Sequence, residues 1–145
     1  MRSPSKPMPA AAPIHFRLDS DPKSLRPIRE AVEQLAGQMG FDTTTIHELG
    51  LVINEALANV IRHAYKNQHD RPIEVDCVPE DGQLVIRIRD WGNGIDPDRL
   101  PAKTHDPLTP GGLGVICMKK MMDSVRYEPQ DQGMILEMTR KLERA

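Results

Sequence analysis

Apolar positions recur every three or four residues in two stretches of the chain, the spacing of one buried face on an α-helix. In the first, Leu25, Ile28, Val32, Leu35 and Met39 form the stripe. Ser24 is placed to cap it, Pro27 falls in the first turn, where a missing N–H costs little, and Gly40 stops it. In the second, Ile46, Leu49, Ile53, Leu57, Val60 and Ala64 form the stripe. Thr45 with Glu48 three residues on reads as a capping box, and Asp42 adds negative charge near the helix start. Elsewhere the pattern alternates, as in strands. Ile14, Phe16 and Leu18 predict a short strand at a sheet edge or a subunit contact. Ile73, Val75 and Cys77, then Leu84, Ile86 and Ile88, predict a hairpin around the Pro79–Gly82 turn. Residues 115–122 read as a third helix. Two closing strands, 125–128 and 134–140, flank a turn over 130–133.

The order is strand, two helices, hairpin, loop, helix, hairpin, which suits an α/β fold with helices packed on one face of a mixed, mostly antiparallel sheet. The 145 residues are enough for one substantial core. Residues 1–13 carry four prolines among small and polar neighbours and read as a flexible tail ahead of a single domain over 14–142. Residues 95–110 hold four more prolines without periodicity. A loop of that length inside a domain is usually functional, and a lid is expected.

Charge narrows the function. Lys plus Arg number 19 and Asp plus Glu 21, a formal charge of −2, which argues against a surface built to neutralise nucleic-acid phosphates. No apolar run suits a membrane span or a signal peptide, so a cytoplasmic protein is expected. Cys77 and Cys117 read as two buried, unpaired thiols in a reducing cytosol, with no second Cys or His at zinc-ligand spacing from either.

Three short runs carry the candidate chemistry: Asn54 to Tyr65 (NEALANVIRHAY), Asp90 to Gly94 (DWGNG) and Gly111 to Val115 (GGLGV). Glu55 and Asn59 lie four apart on the second helix, so both project from one side. At 100° per residue that side, shared with Arg62, faces away from the apolar stripe. A solvated face would explain these three, yet Asn is a poor mid-helix residue with no cap to make there. Asn59 offers a carbonyl to a hard cation such as Mg²⁺, and Glu55 is placed to accept a proton from a hydroxyl nucleophile. His63, one turn beyond Asn59, reads as a packing or surface residue. Asp90 ends an apolar strand, where its acceptor-only carboxylate suits the exocyclic amino group of adenine and repels the oxygen of guanine. Gly92 and Gly94 let backbone approach the base. Gly111, Gly112, Leu113 and Gly114 sit just before a helix, where free N–H groups can cradle phosphate. No Gly-Lys-Ser/Thr follows, so this is not a P-loop.

These runs resemble the GHKL ATPases with the Bergerat fold, and within them the bacterial anti-sigma-factor serine/threonine kinases. The resemblance spans about Ile14 to Leu142. NEALANVIRHAY is similar to that branch's N box, DWGNG to its G1 box, and PGGLGV with Met122–Val125 to its G2 segment. It implies a two-layer sandwich that binds ATP and Mg²⁺. Glu55 would be the general base, Asn59 the Mg²⁺ ligand and Asp90 the adenine reader. Gly92, Gly94, Gly111, Gly112, Leu113 and Gly114 would touch nucleotide. It also implies the partners: an anti-sigma-factor antagonist that is phosphorylated, a sigma factor that is captured, and a second copy in a homodimer.

The chain departs from the pattern twice. Some sporulation-type members carry an Arg just before the G2 glycines, and here that place is Pro110; either Arg99 or Lys103 in the expected lid could replace it. Many GHKL proteins have a Thr after the glycine of the last hairpin, and here Met134 follows Gly133. Both changes bear on catalysis more than on ATP binding. The alternative expectation is therefore a nucleotide-gated partner-binding switch without phosphotransfer.

Overall fold

A computed structural model describes residues 11–93 and 118–143. Residues 1–10 of the tail, the expected lid over 95–110, and Gly94, Gly111, Gly112, Leu113 and Gly114 lie outside the described residues, as do Arg99, Lys103, Pro110 and Cys117.

Five strands form one sheet: β1 (Ile14–Asp19), β2 (Pro72–Glu80), β3 (Gln83–Asp90), β4 (Ser124–Pro129) and β5 (Met134–Lys141). Their spatial order is β1-β2-β3-β5-β4, and every described pair is antiparallel. β1 is an edge strand, as its short alternation implied. The first hairpin turns more tightly than expected: Glu80 pairs with Gln83, leaving only Asp81 and Gly82 in the loop.

Two helices, α1 (Leu25–Met39) and α2 (Thr43–Asn59), pack on one face of the sheet. The period-2 and period-3.6 stripes meet there. Ile73, Val75, Cys77, Leu84, Ile86, Ile88 and Met138 bury against Val32, Leu35, Leu49, Ile53 and Leu57 in one cluster. Burial pushes the Cys77 thiol up to about 12, so it packs as an inert hydrophobe. The opposite sheet face is a row of polar and charged side chains. His15, Asp76, Arg87, Glu137 and Arg126 stand side by side across the five strands. His15 Nδ1 lies 2.6 Å from Asp76, and Arg87 Nε donates to Glu137 at 2.7 Å.

Both expected helix starts are corrected. Ser24 makes no side-chain cap; it ends a 3₁₀ turn, Pro22–Ser24, whose own cap is Asp21, accepting from the Lys23 N–H. On α2 the cap is Asp42, whose Oδ1 accepts from the Thr45 N–H at 2.7 Å. That bond holds the Asp42 carboxyl below its usual range. Thr45 and Glu48 therefore form no capping box. They face Arg140 of β5, which donates to Thr45 Oγ1 at 3.3 Å and lies 3.5 Å from Glu48. Arg140 also donates to the Met121 carbonyl at the end of helical residues 118–121, tying that turn to α2 through the sheet.

Candidate nucleotide site

The N-box helix brings Glu55, Asn59 and Arg62 together. Arg62 Nη2 donates to Asn59 Oδ1 at 2.8 Å and to Glu55 Oε1 at 3.0 Å. Asn59 is not on a solvated face: it is 4% exposed, and Val52, Ala56 and Ile61 are buried as well, so the helix is covered more widely than the single stripe implies. Its Nδ2 has no hydrogen-bond partner among the described residues, and neither has Arg62 Nε. A buried amide hydrogen left unpaired costs about 1–3 kcal/mol, which a protein rarely tolerates without a use for the group. His63 lies exposed on the helix surface. Desolvation first, then the charge of Arg62, holds its imidazole below the usual value, against the opposing pull of Glu55.

α2 does not continue as an α-helix. At Val60–Ala64 it widens into a π turn, a form found mostly as short insertions at functional sites. The widened end sets the Ala64 carbonyl against the turn that follows β3, where it accepts from the Asn93 N–H at 3.3 Å.

Asp90 closes β3 as expected, and its side chain is 2% exposed. Its Oδ1 accepts from the Gly92 N–H at 3.0 Å, and the Met134 N–H also favours its charge. Desolvation outweighs these bonds and the nearby Arg89, so the carboxyl titrates above its usual range. Two glycines make the turn possible. A Cβ on Gly92 would lie 2.3 Å from the Ala64 carbonyl oxygen, and one on Gly133 would lie 2.0 Å from the Asp90 carbonyl oxygen. Gly133 also adopts φ +88°. Met134, at the position where a Thr is common, pairs with Asp90 across the ladder and is buried. A cavity of ≈ 320 Å³ opens at this junction, lined by Ala64, Tyr65, Trp91, Gly92 and Asn93 among others.

The residues present fit the implied ligands. Two oxygens that converge on one guanidinium nitrogen also suit a hard cation, and a buried carboxylate beside a close-approach glycine suits an amino-bearing base. Among the described residues there is no cluster of three or more His, Cys, Asp or Glu side chains that could hold a metal ion. No helix among them is long and apolar enough to cross a membrane.

Sequence reasoning put Arg62 on the right side of the helix but gave it no role, and it missed Tyr65. A buried Tyr at a helix end must find partners for its hydroxyl, which was the available signal.

Comparison with known proteins agrees with this architecture. Residues 18–140 match the histidine kinase-like ATPase domain. A Bacillus licheniformis serine-protein kinase RsbW is 31% identical over 93% of this chain and 89% of its own. An anti-sigma F factor from Oceanobacillus iheyensis is 32% identical over 81% of this chain and 84% of its own. Among solved structures, the RsbU and RsbW domains of a Mycobacterium tuberculosis protein share the fold. They align with a TM-score of 0.66 at 19% identity, covering 92% of this chain and 33% of that one. The chain belongs to the histidine kinase-like ATPase family.

Proposed function

We propose that this protein is an ATP-dependent serine/threonine kinase that phosphorylates an anti-sigma-factor antagonist and sequesters a sigma factor. The observation that carries the catalytic part is the convergence of Glu55 and Asn59 on Arg62. It places a carboxylate and a buried amide carbonyl around one cationic group, one helical turn apart. The identity to a serine-protein kinase and an anti-sigma F factor supports the choice of partners.

In this reading Asp90 accepts from the adenine amino group, while Gly92 lets the base lie against backbone. Asn59 would hold Mg²⁺, which when bound neutralises charge on the phosphate oxygens. Glu55 takes the proton of the antagonist's Ser or Thr hydroxyl as that oxygen bonds to the γ-phosphorus; the bond to the β,γ-bridging oxygen breaks, and ADP leaves. Among the described residues, Arg62 is the charged side chain that bonds both groups. With Pro110 where some relatives carry Arg, it is the residue we assign to neutralise the transferred phosphate. The glycines Gly94, Gly111, Gly112 and Gly114, with Leu113, belong to the same reading as nucleotide contacts, and homodimerisation comes with it by resemblance.

The same convergence also favours the second reading, a nucleotide-gated binding switch. Glu55 is engaged by Arg62 at 3.0 Å, an arrangement that a non-transferring protein would equally keep. Incubation with antagonists encoded nearby and Mg·ATP, followed by mass spectrometry, separates the two. A phosphoserine or phosphothreonine on the antagonist establishes the kinase. An antagonist that binds tightly and stays unmodified establishes the switch.

A further inference from the structure

The end of the N-box helix is held in a costly shape. After the π turn, Lys66 and Asn67 take φ of +50° and +63°, a region that residues with side chains seldom occupy, and here two do so in succession. Such conformations persist where the surroundings over-determine them. Ser20, fully buried at the end of β1, supplies part of that. Its Oγ donates to the Gln68 carbonyl at 2.5 Å and accepts from the Arg71 N–H at 3.0 Å. The Asn67 N–H returns to the Ile61 carbonyl at 2.7 Å.

What this shape delivers is Tyr65. The residue is 5% exposed, and its hydroxyl donates to the Pro72 carbonyl at 2.5 Å while accepting from the Trp91 N–H at 2.8 Å. The polarity is not adjustable. Pro72 offers only an acceptor there and Trp91 only a donor, so the one hydroxyl proton and one lone pair are both committed. The same short turn is held at every other backbone group shown to bond. The Trp91 carbonyl accepts from Gln132 Nε2 at 3.1 Å, and the Asp90 carbonyl accepts from Arg89 Nη1 at 2.8 Å. The Arg89 guanidinium also lies 4.7 Å from the centre of the Trp91 ring.

We infer that Tyr65 is a positioning residue of the nucleotide site, its hydroxyl setting the Trp91 peptide and through it the direction of the Asp90 carboxylate and the Gly92 backbone. This rests on the reading of Asp90 as the adenine acceptor. Selection of adenine over guanine then depends on a side chain that touches neither base. Tyr65 joins the helix of the metal ligand to the strand of the base reader by one oxygen atom. The geometry of the strained helix end is spent on placing that atom.

Trp91 is the chain's single tryptophan, so its fluorescence reports on the turn without a label. Tyr65→Phe keeps the ring and removes only the hydroxyl. The variant should unfold cooperatively, expose Trp91 more to acrylamide quenching, and bind ATP roughly 3- to 10-fold more weakly, the scale of one hydrogen bond. The ATP-to-GTP affinity ratio should fall with it. A folded variant whose ratio and quenching match wild type overturns the inference, even if its melting temperature drops, since a merely structural tyrosine does just that. Where Tyr65→Phe fails to fold, Gln132→Ala decides, because it releases the adjoining Trp91–Gly92 peptide of the same turn from an exposed side chain. Unchanged quenching and ratio there would overturn the inference too. A wild type that binds ATP and GTP equally overturns the Asp90 reading itself and the inference with it, whereas a discriminating wild type and an indifferent Tyr65→Phe overturn the inference alone.

Discussion

The two ends of the candidate site are built on opposite terms. At the base end, around Asp90, Trp91 and Gly92, backbone groups are paired with named partners, and two glycines are pressed so close to carbonyl oxygens that no side chain fits. At the phosphate end, around Glu55, Asn59 and Arg62, one guanidinium nitrogen serves two oxygens, while Asn59 Nδ2 and Arg62 Nε are buried with no partner among the described residues. Among the described residues, one end is paired before any ligand arrives; the other has bonding capacity left over. A rigid reader suits a base of fixed shape. A region with unspent donors suits phosphates whose charge and position change during transfer.

The largest effect should come from the unfinished end. Glu55→Gln keeps the size of the side chain and an oxygen for Arg62 to donate to, so Mg·ATP and antagonist should still bind. Phosphotransfer should fall by roughly 10²–10⁴-fold, the usual contribution of a positioned base. Single-turnover kinetics with radiolabelled ATP measure it, and a rate within a few-fold of wild type would remove Glu55 from the role of base.

Asn59→Ala tests the same end through its orphan donor. Removing an unpaired buried amide and supplying a better helix former should leave stability equal or raised. The dependence of ATP affinity on Mg²⁺ should disappear. A sharp loss of melting temperature with metal dependence intact would make Asn59 a packing residue.

Gly92→Ala tests the finished end. The new Cβ meets a backbone oxygen, not a movable side chain, so the helix end and the turn must separate. The expected cost is about 1–3 kcal/mol of unfolding free energy, with ATP affinity falling alongside. Urea titration and calorimetry read the two quantities. A variant of wild-type stability would show that the turn yields more easily than its bonding implies.

The contrast also explains what the sequence made legible. The helical stripes and strand alternations are local periodicities, and the layers followed from them. Asp90 at a strand end was visible because two glycines follow it at once. The capping box was misread because D-x-x-T and T-x-x-E overlap at Thr45. Both are sound helix starts, and the choice depends on Arg140, far along the chain, which claims Thr45 and Glu48. The π turn was invisible because Val60 and Ala64 satisfy a 3.6-residue period as well as a wider one. Tyr65 and Gln132 were missed for a similar reason: each is defined by a backbone group of Trp91 that only the folded chain brings near.

The smallest expected effect sharpens the comparison most, because it asks what the finished end costs. Asp90 is buried, and its carboxyl titrates above the usual range chiefly because it is desolvated. A folded-state pKa above the unfolded one means that protonation favours the fold. The contribution of Asp90 is fully present below its unfolded pKa, near 3.8, and is lost as pH rises through the raised value. At neutral pH the charged carboxylate is therefore a burden on the unliganded protein. Asp90→Asn keeps an oxygen for the Gly92 N–H and carries no charge. It should be more stable than wild type at pH 7 by at most about 1 kcal/mol, and this advantage should narrow as pH falls through the window above 3.8. ATP binding should move the other way, weakening by about 1–3 kcal/mol, with discrimination against GTP reduced. Thermal melts across pH, paired with calorimetric titrations, measure both. If Asp90→Asn is less stable than wild type at neutral pH while its ATP affinity is unchanged, the carboxylate serves to hold the turn, and the base-reading role belongs to another group.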